Sequence, residues 1–297
     1  MNTNNSGHLR RLIAGSALAL FSAITFALNV VLAGMSYQHG ANIHALNLSR
    51  AALFLATLSC ILLATRTLPQ LNPRIRNLSI LLGLLLCAEM YVLLGAIKTI
   101  PVALAVLIFY TYPLIIAVHG WLTGVERFNL ASMFLLLTGF GGLLFVLISA
   151  PVVPDIQGLL FSLGAAVVMA AMLLVSDKAL KFSNNHVVLF YALSTVVIGI
   201  ILSLVTIDAV TLAWPTDKLG WIVFSASSFF YVAATFALFM AVKLVGPLRT
   251  AIIDNTAPVW AILFGYLLLN QILTVRQLLG ALVVIVAVML LQFTKRN

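Results

Sequence analysis

Residues 96–122, AIKTIPVALAVLIFYTYPLIIAVHGWL, return without a gap as residues 241–267, AVKLVGPLRTAIIDNTAPVWAILFGYL. The register sets Ala96 on Ala241, Lys98 on Lys243 and Thr111 on Thr256. It also sets Pro113 on Pro258, Gly120 on Gly265 and Leu122 on Leu267. Outward from this pair, the run from Gly15 to Met35 aligns with that from Gly158 to Lys178. Matches at both ends of a long unit point to a duplicated chain.

Each copy must live in lipid. The chain has 297 residues, of which 63% are hydrophobic and 8% charged, and a mean hydropathy of +1.17. Too few polar side chains exist to cover a soluble exterior, and a bilayer-spanning helix needs ~20 apolar residues. The apolar runs predict an all-α membrane protein with ten transmembrane helices. These fall at 12–37, 41–65, 77–98, 101–123, 128–149, 157–179, 186–206, 218–242, 247–268 and 273–293. Pro69 and Pro73 punctuate the second connection, Pro101 opens the fourth helix and Pro215 precedes the eighth. Gly246-Pro247 opens the ninth. Pro151 and Pro154 separate two five-helix repeats, 12–149 and 157–293. Arg10 and Arg11 before an apolar stretch resemble a signal peptide, but that stretch is too long and is read as an uncleaved first span.

Five is odd, so the second copy enters the membrane upside down. An inverted repeat places a site near the midplane, between the halves. Basic residues set the orientation. With a cytoplasmic N-terminus, inside ends carry Arg10, Arg11, Arg66, Arg74, Arg76, Arg127, Lys178, Lys181, Lys243, Lys295 and Arg296. Outside loops carry Lys98, Lys218 and Arg276, which is eleven against three. Both termini are therefore expected in the cytoplasm, with the chain in a cell (inner) membrane. The net charge of +9 is scattered over loops, so no nucleic-acid partner is expected. Cys60 and Cys87 lie in apolar runs, and no Cys/His spacing suggests a metal or other cofactor.

Several motifs recur in a known arrangement. Phe26-x-x-Asn29 resembles a Trp-x-x-Asn pattern in the first helix, and Ser49-Arg50-Ala51-Ala52 follows in the second. Pro113 through Gly124-Val-Glu126-Arg127 resembles a Pro…Gly-Glu-Arg signature, and Pro258 with Asn270-Gln271 stands at those places in the second copy. With these motifs the chain resembles the EamA family of the drug/metabolite transporter superfamily, over nearly its whole length. Phe26 replaces the usual Trp, and Gln271 replaces the usual Glu. The resemblance implies an exporter of amino acids and related metabolites. It also implies a central cavity built by the first, third, fourth, sixth, eighth and ninth helices.

Of seven acids, Glu126, Asp155, Asp177, Asp208 and Asp217 sit at loops or helix ends, whereas Glu89 and Asp254 lie well inside apolar spans. A charge there costs ~2.5–3.5 kcal/mol on insertion scales and should face protein or water. Each is a candidate proton or substrate-ammonium site, or else a structural ion pair or hydrogen-bonded acid. Arg50 bears on the choice, because it and Glu89 sit at similar depth, ~13 Å below the outer surface at 1.5 Å per residue. A permanent pair would make Glu89 structural; an Arg50 that snorkels outward would leave it free.

The first helix carries a polar stripe, Ser22, Thr25, Asn29 and Ser36, suited to lining a cavity or to interhelical hydrogen bonds. Its counterpart in the sixth helix is Ser162, Met169, Met172 and Ser176, with Met172 in the place of Asn29. Methionine adapts to varied ligands. Phe109-Tyr110-Thr111-Tyr112 precedes Pro113, and Asp254-Asn255-Thr256 precedes Pro258. Both prolines should bend their helices at the same relative depth and free carbonyls. At most one of Tyr110 and Tyr112 should line a cavity. Ser225, Ser228 and Thr235 share a face of the eighth helix, for lining or close packing. His44 and His119 lie toward helix ends, and Trp121, Trp214, Trp221 and Tyr266 are expected at membrane interfaces. Gly139, Gly141 and Gly142 suggest a close helix contact, within the fold or across a homodimer.

The sequence thus reads as an inner-membrane secondary transporter, an alternating-access exporter of amino acids or related small metabolites, with proton coupling at Glu89, Asp254 or both. Arg50, Asn29, Thr25, Tyr110, Asn255, Met172 and Ser228 complete the candidate substrate or coupling site. Its partners are a small-molecule substrate and the lipid bilayer. A drug or cation exporter and an uncoupled facilitator remain alternatives within transport. A receptor or scaffold lacks an output domain, and an enzyme lacks HExxH, GxSxG or a His/Asp cluster.

Overall fold

Eleven helices form in the computed structural model, which describes residues 3–67, 70–123, 130–148, 154–180, 185–206 and 211–294. They are α1 (Thr3–Gln38), α2 (Ile43–Ala64), α3 (Pro73–Ala96), α4 (Val102–Phe109), α5 (Tyr112–Leu122) and α6 (Leu130–Ile148). After these come α7 (Ile156–Leu180), α8 (Asn185–Thr206), α9 (Lys218–Asp254), α10 (Ala257–Leu269) and α11 (Val275–Thr294). No strand occurs among the described residues. Among the described residues, seven segments are long and apolar enough to cross a membrane, and shorter apolar helices cover 133–146, 257–269 and 275–287. The molecule is a multi-pass, all-helical membrane protein.

Local chemistry sets the boundaries. Asn42 caps α2 by accepting from the Ala45 N–H at 2.9 Å. Asn72 accepts from the Arg74 N–H at 3.1 Å, with Pro73 at the first helical position. This starts α3 at residue 73 rather than 77. Thr274 and Gln277 form a reciprocal capping box at the start of α11. The first helix begins at Thr3, well before the expected 12, as a polar extension of the span.

Two proline breaks add two helices to the ten expected, and the run of the eighth into the ninth across Gly246 removes one, which leaves eleven. A proline removes an N–H and clashes with the carbonyl four residues back. Four residues before Pro113 is Phe109, where α4 ends; four before Pro258 is Asp254, where α9 ends. The breaks match in detail. Leu114 N–H donates to the Thr111 carbonyl at 2.9 Å, and Val259 N–H to the Thr256 carbonyl at 3.0 Å. The expected fourth span is therefore α4 plus α5. The expected eighth and ninth spans meet at Gly246, where φ is +82° and the helical path is interrupted.

Packing runs across the chain. α1 packs on α9 and α10, and α3 on α7 and α8. α2 meets α8 and α9, α6 meets α11, and α4 meets α7 and α10. Gly139 lies against Leu114 and Ala287, and a Cβ at Gly142 would meet Val283 at 2.9 Å and the Gly280 carbonyl at 3.2 Å. These two glycines thus serve a close contact within the chain. Gly141 has nothing within 4 Å and takes no part in it. The Gly124-Val-Glu126-Arg127 motif, Pro69, Pro151, Lys181, Asp208, Lys295 and Arg296 lie outside the described residues, as do the side chains of Arg10, Asp177 and Arg249.

Candidate functional site

The centre of the bundle holds a cavity of about 30 Å³, room for a water molecule or two. α1 contributes Ser22 and Phe26, α3 contributes Leu86 and Glu89, and the end of α4 contributes Phe109 and Tyr110. From the other side come Met169 and Met172 on α7. Tyr231, Ala234, Thr235, Leu238 and Asp254 reach it from α9. Thus two carboxyl groups line one small space whose lining contains no Lys, Arg or His.

The proline breaks position one acid. Asp254 is the last residue of α9, 2% exposed, and the Tyr110 hydroxyl donates to its Oδ2 at 3.1 Å. Its Oδ1 accepts no hydrogen bond among the described residues. Tyr110 is itself the residue at which α4 stops, so the two kinks meet face to face. Phe26 stacks on Phe109 at 5.7 Å between ring centres and sets its edge against Tyr110 at 6.2 Å. These rings wall the acid from lipid. Glu89 is 5% exposed and has no hydrogen-bond partner among the described residues.

Arg50 follows neither expected course. It is 2% exposed and does not snorkel, and no ion pair with Glu89 forms among the described residues. Its Nη2 donates to Asn29 Oδ1 at 2.6 Å and to Ser227 Oγ at 2.8 Å. The Ser227 hydroxyl in turn donates to the Asn29 carbonyl at 3.0 Å. The Tyr231 ring, which also lines the cavity, lies 5.1 Å from the guanidinium carbon. The physical reason is reach: α1 and α9 present amide and hydroxyl oxygens close to α2, so the cation is solvated by neutral dipoles.

The remaining candidates separate. Tyr110 and Met172 line the cavity with Glu89 and Asp254; Tyr112 does not. Thr25 donates back to the Phe21 carbonyl on its own helix at 2.6 Å and is not in the lining. Asn29 belongs to the Arg50 cluster. Asn255 is buried one residue past Asp254, and its Nδ2 has no partner among the described residues. Ser228 donates to Ser49 at 3.1 Å and to the Phe224 carbonyl, tying α9 to α2. Ser225 is exposed, so it does not share an environment with Ser228 and Thr235. Sequence reading missed Ser227 and Tyr231. Helical spacing from Thr235 back through Tyr231 to Ser227, four residues each, was the available signal.

Trp214 and Trp221, expected at a membrane interface, stack at 6.0 Å and both are partly exposed, as are Trp121 and Tyr266. His119 is exposed, and the His44 ring lies 3.4 Å from the Tyr91 hydroxyl.

A multi-pass helical membrane protein with two acids in a cavity between kinked helices has the parts from which transporters build a substrate site. Residues 156–293 match the EamA-like transporter family of the drug/metabolite transporter superfamily, whose members are transporters. No curated protein matches the sequence. A crystal structure of a protein 20% identical in sequence superposes with a TM-score of 0.67, covering 95% of this chain and 97% of the other. That likeness extends over both halves and concerns the fold alone.

Proposed function

We propose that the chain is a secondary transporter that exports amino acids or related small metabolites by alternating access between two inverted five-helix copies. Proton coupling would run through Asp254, Glu89 or both. One observation carries the proposal: the two acids buried inside spans, each opposite an uncharged residue in the other copy, open onto the same cavity. In repeat register, Phe26 corresponds to Met169, Leu86 to Tyr231, Glu89 to Ala234, and Phe109 to Asp254. All eight line it.

The packing supports the inversion. Counting spans within each copy, α1 on α9 is first on eighth, and α3 on α7 is third on sixth. Exchanging the copies turns either contact into the other. The second-on-seventh, fourth-on-ninth and fifth-on-tenth contacts map onto themselves. The close approaches repeat as well. Gly15 lies against Leu244 and Val245, and Gly158 lies against their register partners Thr99 and Ile100. A site on such a pseudo-axis can face either side as the halves rock.

The lining also favours a second reading. Two carboxyl groups among Phe26, Phe109, Tyr110 and Tyr231, with no cation in the lining, suit an organic cation held by charge and cation–π contact. A drug or cation exporter is therefore the alternative. Flux into proteoliposomes under an imposed pH gradient, against a panel of amino acids and organic amines, tests both. If Glu89→Gln and Asp254→Asn each retain full gradient-driven flux, proton coupling at these acids is wrong.

The same copy register and charge bias support inner-membrane placement with both termini in the cytoplasm. Accessibility labelling of single cysteines placed at the termini checks this.

A further inference from the structure

A buried guanidinium without a counter-ion in contact is costly, because neutral dipoles replace hydration incompletely. Arg50 is such a group. Nη2 carries both of its hydrogen bonds, and its Nε is buried with no partner among the described residues. Orphaned polar atoms gather around it. Asn47, one helical turn before it on α2, is fully buried with both side-chain polar atoms unpartnered. The Tyr37 hydroxyl, also unpartnered, lies within electrostatic range of the guanidinium, as do Tyr231 and Glu89. Native interiors pair such atoms, so a group of them marks a place where something else sits in another state of the molecule.

The cluster is continuous with the cavity. On α1, Asn29 holds Arg50 while Phe26 and Ser22, three and seven residues back, line the cavity. On α9, Ser227 holds Arg50 while Tyr231, four residues on, divides cluster from cavity. At 1.5 Å per residue, the cluster stands ~4–5 Å above Phe26 along α1 and ~10 Å above Ser22, the level of Asp254. Glu89 lies on the cavity side of Tyr231, within electrostatic range of Arg50.

We propose that Arg50 is an anion-binding subsite, reached when the Tyr231 ring swings aside, and that with Glu89 it clamps a substrate carrying both a carboxylate and an ammonium group. The inference rests on the central cavity being the transport site, and it goes further by dividing the labour. Arg50 and Glu89 take the two ends of the ligand, whose charged groups are close together. Asp254, too far from Arg50 to share them, is left with Tyr110 as the proton site. Displacement of Tyr231 also enlarges a cavity that at about 30 Å³ holds no metabolite.

The experiment compares amino acids with their decarboxylated amines, as pairs, in proteoliposomes of the full chain. Wild-type, Arg50→Gln, Arg50→Lys and Glu89→Gln proteins are used, each checked for a monodisperse, thermally cooperative fold. Wild type is expected to prefer the amino acid of at least one pair. A charge-assisted hydrogen bond contributes ~1.5–3 kcal/mol, which predicts about a tenfold or greater loss of amino-acid flux in Arg50→Gln with the amine unaffected. Arg50→Lys restores part of the discrimination, since it keeps the charge without the planar fork. Wild type carrying amines and rejecting every amino acid would overturn the subsite and leave the transport site standing. Equal loss for both members of a pair in Arg50→Gln would reduce Arg50 to a structural role. Movement of neither class by wild type would remove the amino-acid or amine reading of the cavity itself.

Discussion

Asp254 ends one helix and Tyr110 caps the end of another, each stopped ahead of a proline, and they meet because both helices stop at the same depth. The carboxyl group lines the cavity with one oxygen bound by Tyr110 and the other buried without a partner among the described residues. Asp254→Asn is expected to lower gradient-driven flux at least about tenfold while substrate exchange at equilibrium persists, because a neutral amide keeps the shape and loses the proton. Radiolabelled counterflow with and without a pH gradient measures both quantities. Equal loss of both would assign Asp254 to substrate binding or to folding instead. Glu89 and Asp254 were legible in the sequence as acids inside apolar spans. Arg50's partners were not, since Ser227 lies 177 residues away and looks like its neighbours Ser225 and Ser228. Ser227 and Ser228 differ by one residue, 100° around the helix, a phase that the apolar pattern does not fix.

At the scale of the element, glycine placement is where sequence and structure can be compared most directly. The run Gly139, Gly141, Gly142 announces a close contact but not which glycine makes it. Helix phase relative to α11 decides that, and the partner must be known first. A Cβ at Gly142 would press on Val283 and on the Gly280 carbonyl, whereas one at Gly141 meets nothing within 4 Å. Gly142→Leu is therefore expected to overpack the α6–α11 contact at a cost of about 1–3 kcal/mol. Gly141→Leu should fold like wild type. Thermal unfolding of the two variants in detergent separates them, and equal melting temperatures would show that this contact contributes nothing to stability. The proline breaks were legible as kinks. Both breaks go further than a kink, into full helix ends with i to i+3 hydrogen bonds on either side.

Across the whole molecule, the two ends of the bundle differ. At the end where α1 finishes, the turn into α2 is stitched to residues 211–217. Asn42 N–H donates to the Ala213 carbonyl at 3.0 Å, and Thr216 N–H donates to the His39 carbonyl at 3.0 Å. His39 Nδ1 stands 2.9 Å from an Asp217 carboxylate oxygen, and Trp214, Trp221 and Phe224 pack as a cluster beside them. In repeat register, Asn72 stands at the place of Asp217 on the opposite end. There it lines a cleft of about 1030 Å³ with Arg74 and Lys178. If the chain works by alternating access, the stitched end must open in some other state, and an exposed histidine–carboxylate contact, worth ~0–1 kcal/mol, adds little to hold it shut. Replacing Cys60 and Cys87 by serine, and His39 and Asp217 by cysteine, allows that seam to be closed covalently by oxidation or by a short bifunctional thiol reagent. Cross-linking is expected to stop transport, and reduction to restore it. Full-rate transport by the cross-linked protein would mean that the chain moves its substrate without opening this end.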